Sequence, residues 1–381
     1  VTKFHHAAID GVSGAEISAA IHDTSPEDTV EAPETEWRPE RFPTPMELLG
    51  RTAVTTAKKP FEFVSLVGRN AGTAWRFGRG LLNKELHLTT KVPRTRFNGN
   101  VSPHRVFDGR SFSLDEIRAI KGRIDGATVN DVMVSVCGGA LRRYLQSKGE
   151  LPEESLVAMA PVSARPEEMR KAAGNMVSTM SLPVRSDIAD PLDRLRAVHS
   201  ESEDAKKLTR TLGASLGTEL AHFLPSTTTG LMATAYGRYG LAKRLPPIFN
   251  TVITNVPGPN FPLYSMGSRM VASFGLGPVT HGIGLFQPLI GYNGQITVSA
   301  ISCRAMMPDP EFYCDCLTQA FDDLKKSAKR PVKKSKAKRA KKRSRKTNGS
   351  GRVTDKKSAP KKKKIARKRV TKKQPAGVVR D

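Results

Sequence analysis

No run of this 381-residue chain reaches the roughly 18 consecutive apolar residues that a membrane-spanning helix needs. The residues from Val1 onward also lack the charged-then-apolar build of a secretory signal, so any membrane contact is expected to be peripheral. Cysteine is scarce: Cys137, Cys303, Cys314 and Cys316 include no C-x-x-C pair. That argues against a zinc site, a redox dithiol or a disulfide framework, and it fits a reducing cytosol. Aromatic side chains make up 6% of the chain and are missing from residues 325–381. Acidic residues nearly vanish there too, with only Asp355 and Asp381 against 27 lysines and arginines. The remainder holds 35 basic and 34 acidic residues, so the formal charge of +26 belongs to an appendage and the body is nearly neutral.

A segment so poor in apolar surface cannot offset its ordering entropy, and residues 327–381 are expected to be disordered. Their expected partners are polyanions. Each lysine near an anionic bilayer contributes about 1 kcal/mol, and nucleic acid is an equal candidate through counterion release. The lack of aromatics argues against stacking on single strands. A merely solubilising extension is the third reading.

The body shows the periodicities of a mixed fold. Helical spacing covers residues 12–21, 45–58, 61–82, 114–123, 191–208, 226–241 and 309–326, and a further helix runs to about 145, capped by Thr128 or Asn130. Alternating stretches at 156–162, 176–184, 249–255, 270–274, 283–292 and 295–303 read as strands. Residues 23–45 read as an exposed loop and 84–108 as a connection. Strands separated by helices of varied length indicate an α/β fold of the α+β sandwich type.

The chemically informative stretch lies at the start, where Phe4-His5-His6-Ala7-Ala8-Ile9-Asp10-Gly11 precedes the first helix. A neutral imidazole can take a proton from a hydroxyl and return it within one cycle near neutral pH, which makes His6 the candidate general base. Gly11 offers a position without a Cβ, open to positive φ and close approach by a bulky substrate. Two plainer readings stand beside this one. Two histidines and an aspartate are also metal-ligand types, although zinc sites draw at least three protein ligands, and a histidine pair is often structural. Four preceding residues cannot build such a site, so the chain is expected to lack an N-terminal portion.

The His5-to-Gly11 stretch resembles the HHxxxDG signature of the bacterial wax ester synthase/diacylglycerol acyltransferase family, within the chloramphenicol acetyltransferase-like superfamily. Further stretches resemble the family in the same order: Trp37-Arg38-Pro39-Glu40, Pro93-Arg94-Thr95-Arg96-Phe97-Asn98, Ala127-Thr128-Val129-Asn130-Asp131-Val132, Pro161-Val162-Ser163-Ala164-Arg165 and Thr254-Asn255-Val256-Pro257-Gly258-Pro259. Gly291-Tyr292 departs from the family's frequent Ser-Tyr. The ordered set spans residues 1–326 and is far more specific than HxxxDG alone.

The resemblance implies a two-lobed acyltransferase fold with a truncated first lobe: residues 1–92 as its remainder, 93–326 as the C-terminal lobe, and 327–381 as the basic tail. It implies transfer of a fatty acyl group from acyl-CoA to diacylglycerol or a long-chain alcohol. His6 would act as base, His5 would shape the site, Asp10 would pair with an arginine such as Arg165, and Gly11 would set the loop. Asn130, Asp131 and Asn255 would support the entrance or His6, although for Asn130 and Asp131 helix capping is the simpler physical reading. No metal and no cofactor beyond the acyl-CoA co-substrate is implied. The expected location is cytoplasmic, peripheral to the inner membrane face or lipid inclusions. Two other functions share these features: a related enzyme with a carrier-bound acyl or aminoacyl donor, and a noncatalytic polyanion-binding protein.

Overall fold

The computed structural model describes residues 2–5, 11–27, 36, 38–82, 91–163, 177–212 and 226–330, all within the unit Val1–Arg330. The residues expected to form a disordered tail fall almost wholly outside them, as do residues 84–90 of the 84–108 connection.

The frame is a six-stranded mixed sheet in the order β1-β8-β7-β4-β2-β3. Its strands are β1 (Arg105–Ser113), β2 (Val157–Ser163), β3 (Val177–Pro183), β4 (Thr251–Val256), β7 (Leu285–Tyr292) and β8 (Gln295–Cys303). A small hairpin, β5 (Tyr264–Ser265) with β6 (Ser268–Arg269), stands apart. The central strands β2, β4 and β7 run parallel, while β8, β1 and β3 join antiparallel. Three helices, α4 (Val129–Ser147), α5 (Pro191–Leu212) and α8 (Pro310–Lys329), pack together beside the sheet. Their apolar stripes meet strand residues such as Val298 and Leu289 in one core cluster. β8 is buried at every position after Gln295, which explains its nearly unbroken apolar and small-residue composition.

Helix α4 sits deepest, with Val132, Met133, Val136, Leu141 and Tyr144 fully buried. A Cβ at Gly138 would run into the Val184 carbonyl, so this glycine permits close approach of the helix to the chain leaving β3. Gly138→Ala is expected to cost about 1–3 kcal/mol through overpacking, read as a lower urea midpoint at unchanged m-value. A midpoint equal to wild type would show that the loop yields freely.

The Pro93-to-Asn98 stretch ties distant strands together. Asn98 Nδ2 donates to the Phe249 carbonyl at 2.8 Å and the Gly282 carbonyl at 2.9 Å. Asn250 Nδ2 reaches Asn98 Oδ1 at 2.8 Å, and Asn250 Oδ1 accepts from the Val157 amide at 2.8 Å. Arg96 forms a two-pronged pair with Glu150 at 2.8 and 2.9 Å. Buried amides so satisfied set the offset of β2 against β4 and thereby the shape of the sheet end.

Three expectations from the sequence are corrected. Residues 105–108 are not connection: the whole of Arg105–Ser113 is an edge strand paired with β8 from Arg105↔Cys303 to Ser113↔Gln295. Its central Asp108 and Arg110 conceal the apolar alternation, yet they pair with each other at 2.8 Å, and Arg110 also reaches Asp315 on α8 at 2.9 Å. Residues 270–274 form no strand. Their backbone is held by side chains of the sheet, with Tyr292 Oη donating to the Met270 carbonyl at 2.9 Å and Thr297 Oγ1 to the Ser273 carbonyl at 2.5 Å, so their alternation reflects lying across a face. The two helices expected at 45–58 and 61–82 are one, α2 (Pro45–Leu82). A single interior proline removes one backbone hydrogen bond, and here the helix runs on past it.

Candidate active site

Of the segments expected to carry the chemistry, the described elements are α1 (Gly11–Ala20), the ends of β4 and β2, and the start of α4. α1 begins at Gly11, directly after the histidine–aspartate stretch, and lies beside β4. Just beyond it, Asp23 and Tyr264 exchange backbone hydrogen bonds of 2.9 and 2.8 Å, which fasten the segment to the hairpin. β4 carries Asn255 near its C-terminal end. β2 runs parallel to β4 with Ala158 opposite Thr251, so the two strands leave the sheet at the same end. Arg165 lies two residues past the last residue of β2. His5 is described, in irregular, exposed backbone. His6, Asp10 and Arg165 lie outside the described residues.

The fourth contributor is the start of α4. Thr128 caps it: its side chain accepts from the Asp131 amide at 3.1 Å, and Asp131 Oδ2 accepts from the Thr128 amide at 2.9 Å. This reciprocal box satisfies two amide groups that a helix N-terminus leaves open. Thr128 is therefore the cap, and Asn130 is free to turn outward, where its Oδ1 accepts from Asn255 Nδ2 at 3.3 Å. Residues 125 positions apart thus close a bridge between the first turn of α4 and the end of β4. The bridge adjoins the strand against which α1 rests.

Asp131 does more than cap. Its side chain is fully buried, and Oδ2 also lies 3.0 Å from His199 Nδ1 on α5, a contact that requires the proton on that ring nitrogen when the carboxylate is ionised. Gly126 makes room for this pair: it adopts φ +77°, and a Cβ there would sit 3.3 Å from His199 Nε2. His199 belongs to no motif, and sequence reasoning passed over it. The signal was its place among buried Leu195, Val198 and Ser202 on α5, which puts it on the inward stripe.

Among the described residues no group of three or more His, Cys, Asp or Glu side chains is arranged to hold a metal ion. The cysteines are free and buried. Burial pushes the Cys137 thiol up to about 12 and the Cys316 thiol up to about 11, which leaves neither as a ready nucleophile. What the described residues offer at this end is the Asn130–Asn255 amide hydrogen bond and the capped N-terminus of α4.

Comparison with known proteins follows the same outline. The model of the wax ester synthase/diacylglycerol acyltransferase catalytic domain matches residues 1–133, and that of the C-terminal domain of the same family matches residues 173–325. A Mycobacterium bovis protein with the provisional name diacylglycerol O-acyltransferase is 31% identical over 330 residues, covering 86% of this chain and 70% of its own. A Mycobacterium tuberculosis protein with the same provisional name is 30% identical over 323 residues, covering 84% of this chain and 63% of its own. The solved wax ester synthase/diacylglycerol acyltransferase from Marinobacter aquaeolei VT8 superposes with a TM-score of 0.53 at 24% identity, over 85% of this chain and 66% of that one, a likeness of fold. The chain therefore spans about two thirds of the length of these proteins.

Proposed function

Because the chain belongs to the wax ester synthase/diacylglycerol acyltransferase family, we propose that it transfers a fatty acyl group from acyl-CoA to the hydroxyl of diacylglycerol or a long-chain alcohol. The observation that carries this reading is the meeting, at one sheet end, of the Asn130–Asn255 bridge with the strand that supports the helix following the HHxxxDG stretch.

The steps balance without a covalent enzyme intermediate. The acceptor oxygen attacks the thioester carbonyl as His6 takes its proton, giving a tetrahedral oxyanion. Collapse of that intermediate breaks the carbon–sulfur bond, and the departing thiolate of CoA takes the proton back from His6. The ester and free CoA leave, and His6 returns to its neutral form. Asp10, pairing with an arginine of which Arg165 is one candidate, holds the loop and does not polarise His6. His5 shapes the pocket wall, and Gly11 allows the chain to turn into α1 without a side chain in the acyl path. The Asn130–Asn255 bridge fixes the entrance, and Asp131, locked by Thr128 and His199, keeps Asn130 in place.

The test is CoA release, with product identified by mass spectrometry, from palmitoyl-CoA with hexadecanol or diolein. Wax ester or triacylglycerol is expected. Turnover with carrier-bound acyl groups but none with acyl-CoA would replace this donor.

On the same reading the basic C-terminal segment is a peripheral grip on anionic surfaces of membranes or lipid inclusions, with nucleic acid as a competing polyanion. No described helix is long and apolar enough to cross a membrane. α8 continues to Lys329 with Ser327 and Ala328 buried, so the informative truncation removes residues 331–381. That truncation is expected to abolish salt-sensitive binding to anionic vesicles and duplex DNA at 0.1 M ionic strength while sparing turnover of a soluble short-chain substrate pair. Undiminished binding would refute the grip.

A further inference from the structure

A row of side chains crosses the sheet in register: Phe286 on β7 stands opposite Ile301 on β8, and Ile301 opposite Phe107 on β1. By alternation this row lies on the face opposite Val298 and Ala300, which belong to the core cluster with the helices. Residues 276–279 cross that face. A Cβ at Gly277 would come within 2.3 Å of the Phe286 ring, so the glycine lets the segment settle directly on β7. Over the outer part of the row a groove of about 430 Å³ remains, with Leu276, Pro278 and Val279 on one side and Ile301 and Phe107 on the other. Phe107 is 45% and Leu276 64% exposed, so the groove opens to solvent along an apolar lip. Among the described residues, the one polar side chain in its lining is that of Arg105. Arg105 Nη1 donates to the carbonyls of Ser102 and His104, and no described carboxylate pairs with it. The nearest acid along the strand, Asp108, is bound to Arg110 at 2.8 Å. Arg304, whose amide donates to the His104 carbonyl at 3.1 Å, adds a second exposed cation at this end of the strand pair.

We propose that this groove binds a long-chain fatty carboxylate, with the chain against Phe107, Leu276, Pro278 and Ile301 and the carboxylate on Arg105. The lining selects this chemistry. A peptide or a nucleotide carries amide or base groups along its length that need hydrogen-bond partners, and beyond Arg105 no lining side chain supplies one. A fatty chain needs none, and its single charge meets a guanidinium whose planar fork suits a carboxylate. The volume falls in the range of small-molecule sites, about 300–1,000 Å³. The groove is set apart from the end of the sheet that bears Asn255. Asn255 stands opposite Leu289, Leu289 opposite Val298 and Val298 opposite Arg110. Phe107 and Arg105 lie three and five positions from that row, about 10 and 17 Å at the rise of a strand. The site therefore depends neither on acyl transfer nor on the basic C-terminal segment.

The experiment uses the full chain and laurate carrying a photoreactive diazirine near its methyl end, below its micellar range and in about 0.15 M sodium chloride to screen exposed charge. Labelled peptides are mapped by mass spectrometry. Label is expected on the peptides bearing Phe107 and Leu276, displaced by unlabelled laurate and about tenfold less well by dodecanol, which lacks the charge. Arg105→Gln is expected to weaken laurate about tenfold, the scale of one hydrogen bond to a charged group. Leu276→Glu should weaken it at least as much by setting a carboxylate in the path of the chain. Both side chains are exposed, so both variants should keep the wild-type melting temperature. Label confined to other peptides, or unchanged in both variants, overturns the site. Loss in Leu276→Glu alone, with dodecanol competing as well as laurate, overturns the carboxylate assignment and leaves a groove for uncharged chains.

Discussion

His6→Ala is expected to lower turnover of palmitoyl-CoA with hexadecanol or diolein by about 10²- to 10⁴-fold, the usual contribution of a positioned general base. The loss should appear in kcat, with KM for acyl-CoA nearly unchanged, because the imidazole acts on the proton that moves only as the acceptor attacks. The melting temperature should hold if the imidazole serves the chemistry alone. His5→Ala should cost far less, as expected for a group that shapes the wall. Equal activity of His6→Ala and wild type would remove His6 as the base and leave the proton with another group. Asn130→Ala should fall between these extremes: it deletes the 3.3 Å bridge to Asn255 and leaves the cap intact.

The second large effect is on stability. Asp131→Ala is expected to destabilise the protein by about 2–4 kcal/mol, combining loss of a cap with a buried amide and an imidazole N–H left without their acceptor. The position warrants this size because the carboxylate is fully buried and one oxygen serves both Thr128 and His199. Asp131→Asn keeps one acceptor oxygen and should lose only about 1 kcal/mol of that amount. His199→Gln can still donate across α4 and α5 and should stay close to wild type, whereas His199→Ala should not. Urea unfolding separates these variants, and a midpoint for Asp131→Ala within error of wild type would show that water fills the role. Activity distinguishes the second duty of the pair: if Asp131 positions Asn130, the part of kcat lost in Asp131→Ala should not fall further in the double variant with Asn130→Ala.

Much of this molecule could be read from local pattern. The stripes of α4, α5 and α8 and the alternation of β2, β3, β4 and β7 reappear in the structure within a few residues, because each element buries one face and its spacing records which. The sequence offered Thr128 or Asn130 as the cap of α4, and the structure selects Thr128, with Asp131 closing the box. The partition of charge between a neutral body and a basic extension required only counting.

Other features were decided by contacts that local pattern does not encode. β1 is a strand because β8 offers it a full antiparallel edge, and its Asp108 and Arg110 are acceptable there because they find each other and Asp315. Residues 270–274 carry strand-like alternation, yet they lie across the sheet, held by Tyr292 and Thr297. His199 is chemically silent in the sequence and acquires its meaning from a carboxylate 68 positions away. The candidate site follows the same logic: capping is a local property of α4, but the bridge from Asn130 to Asn255 exists only because parallel pairing brings β4 out of the sheet beside the start of that helix. Periodicity reports which face a residue turns inward, whereas the partner it meets there depends on strand order and register, which are set by the whole sheet at once.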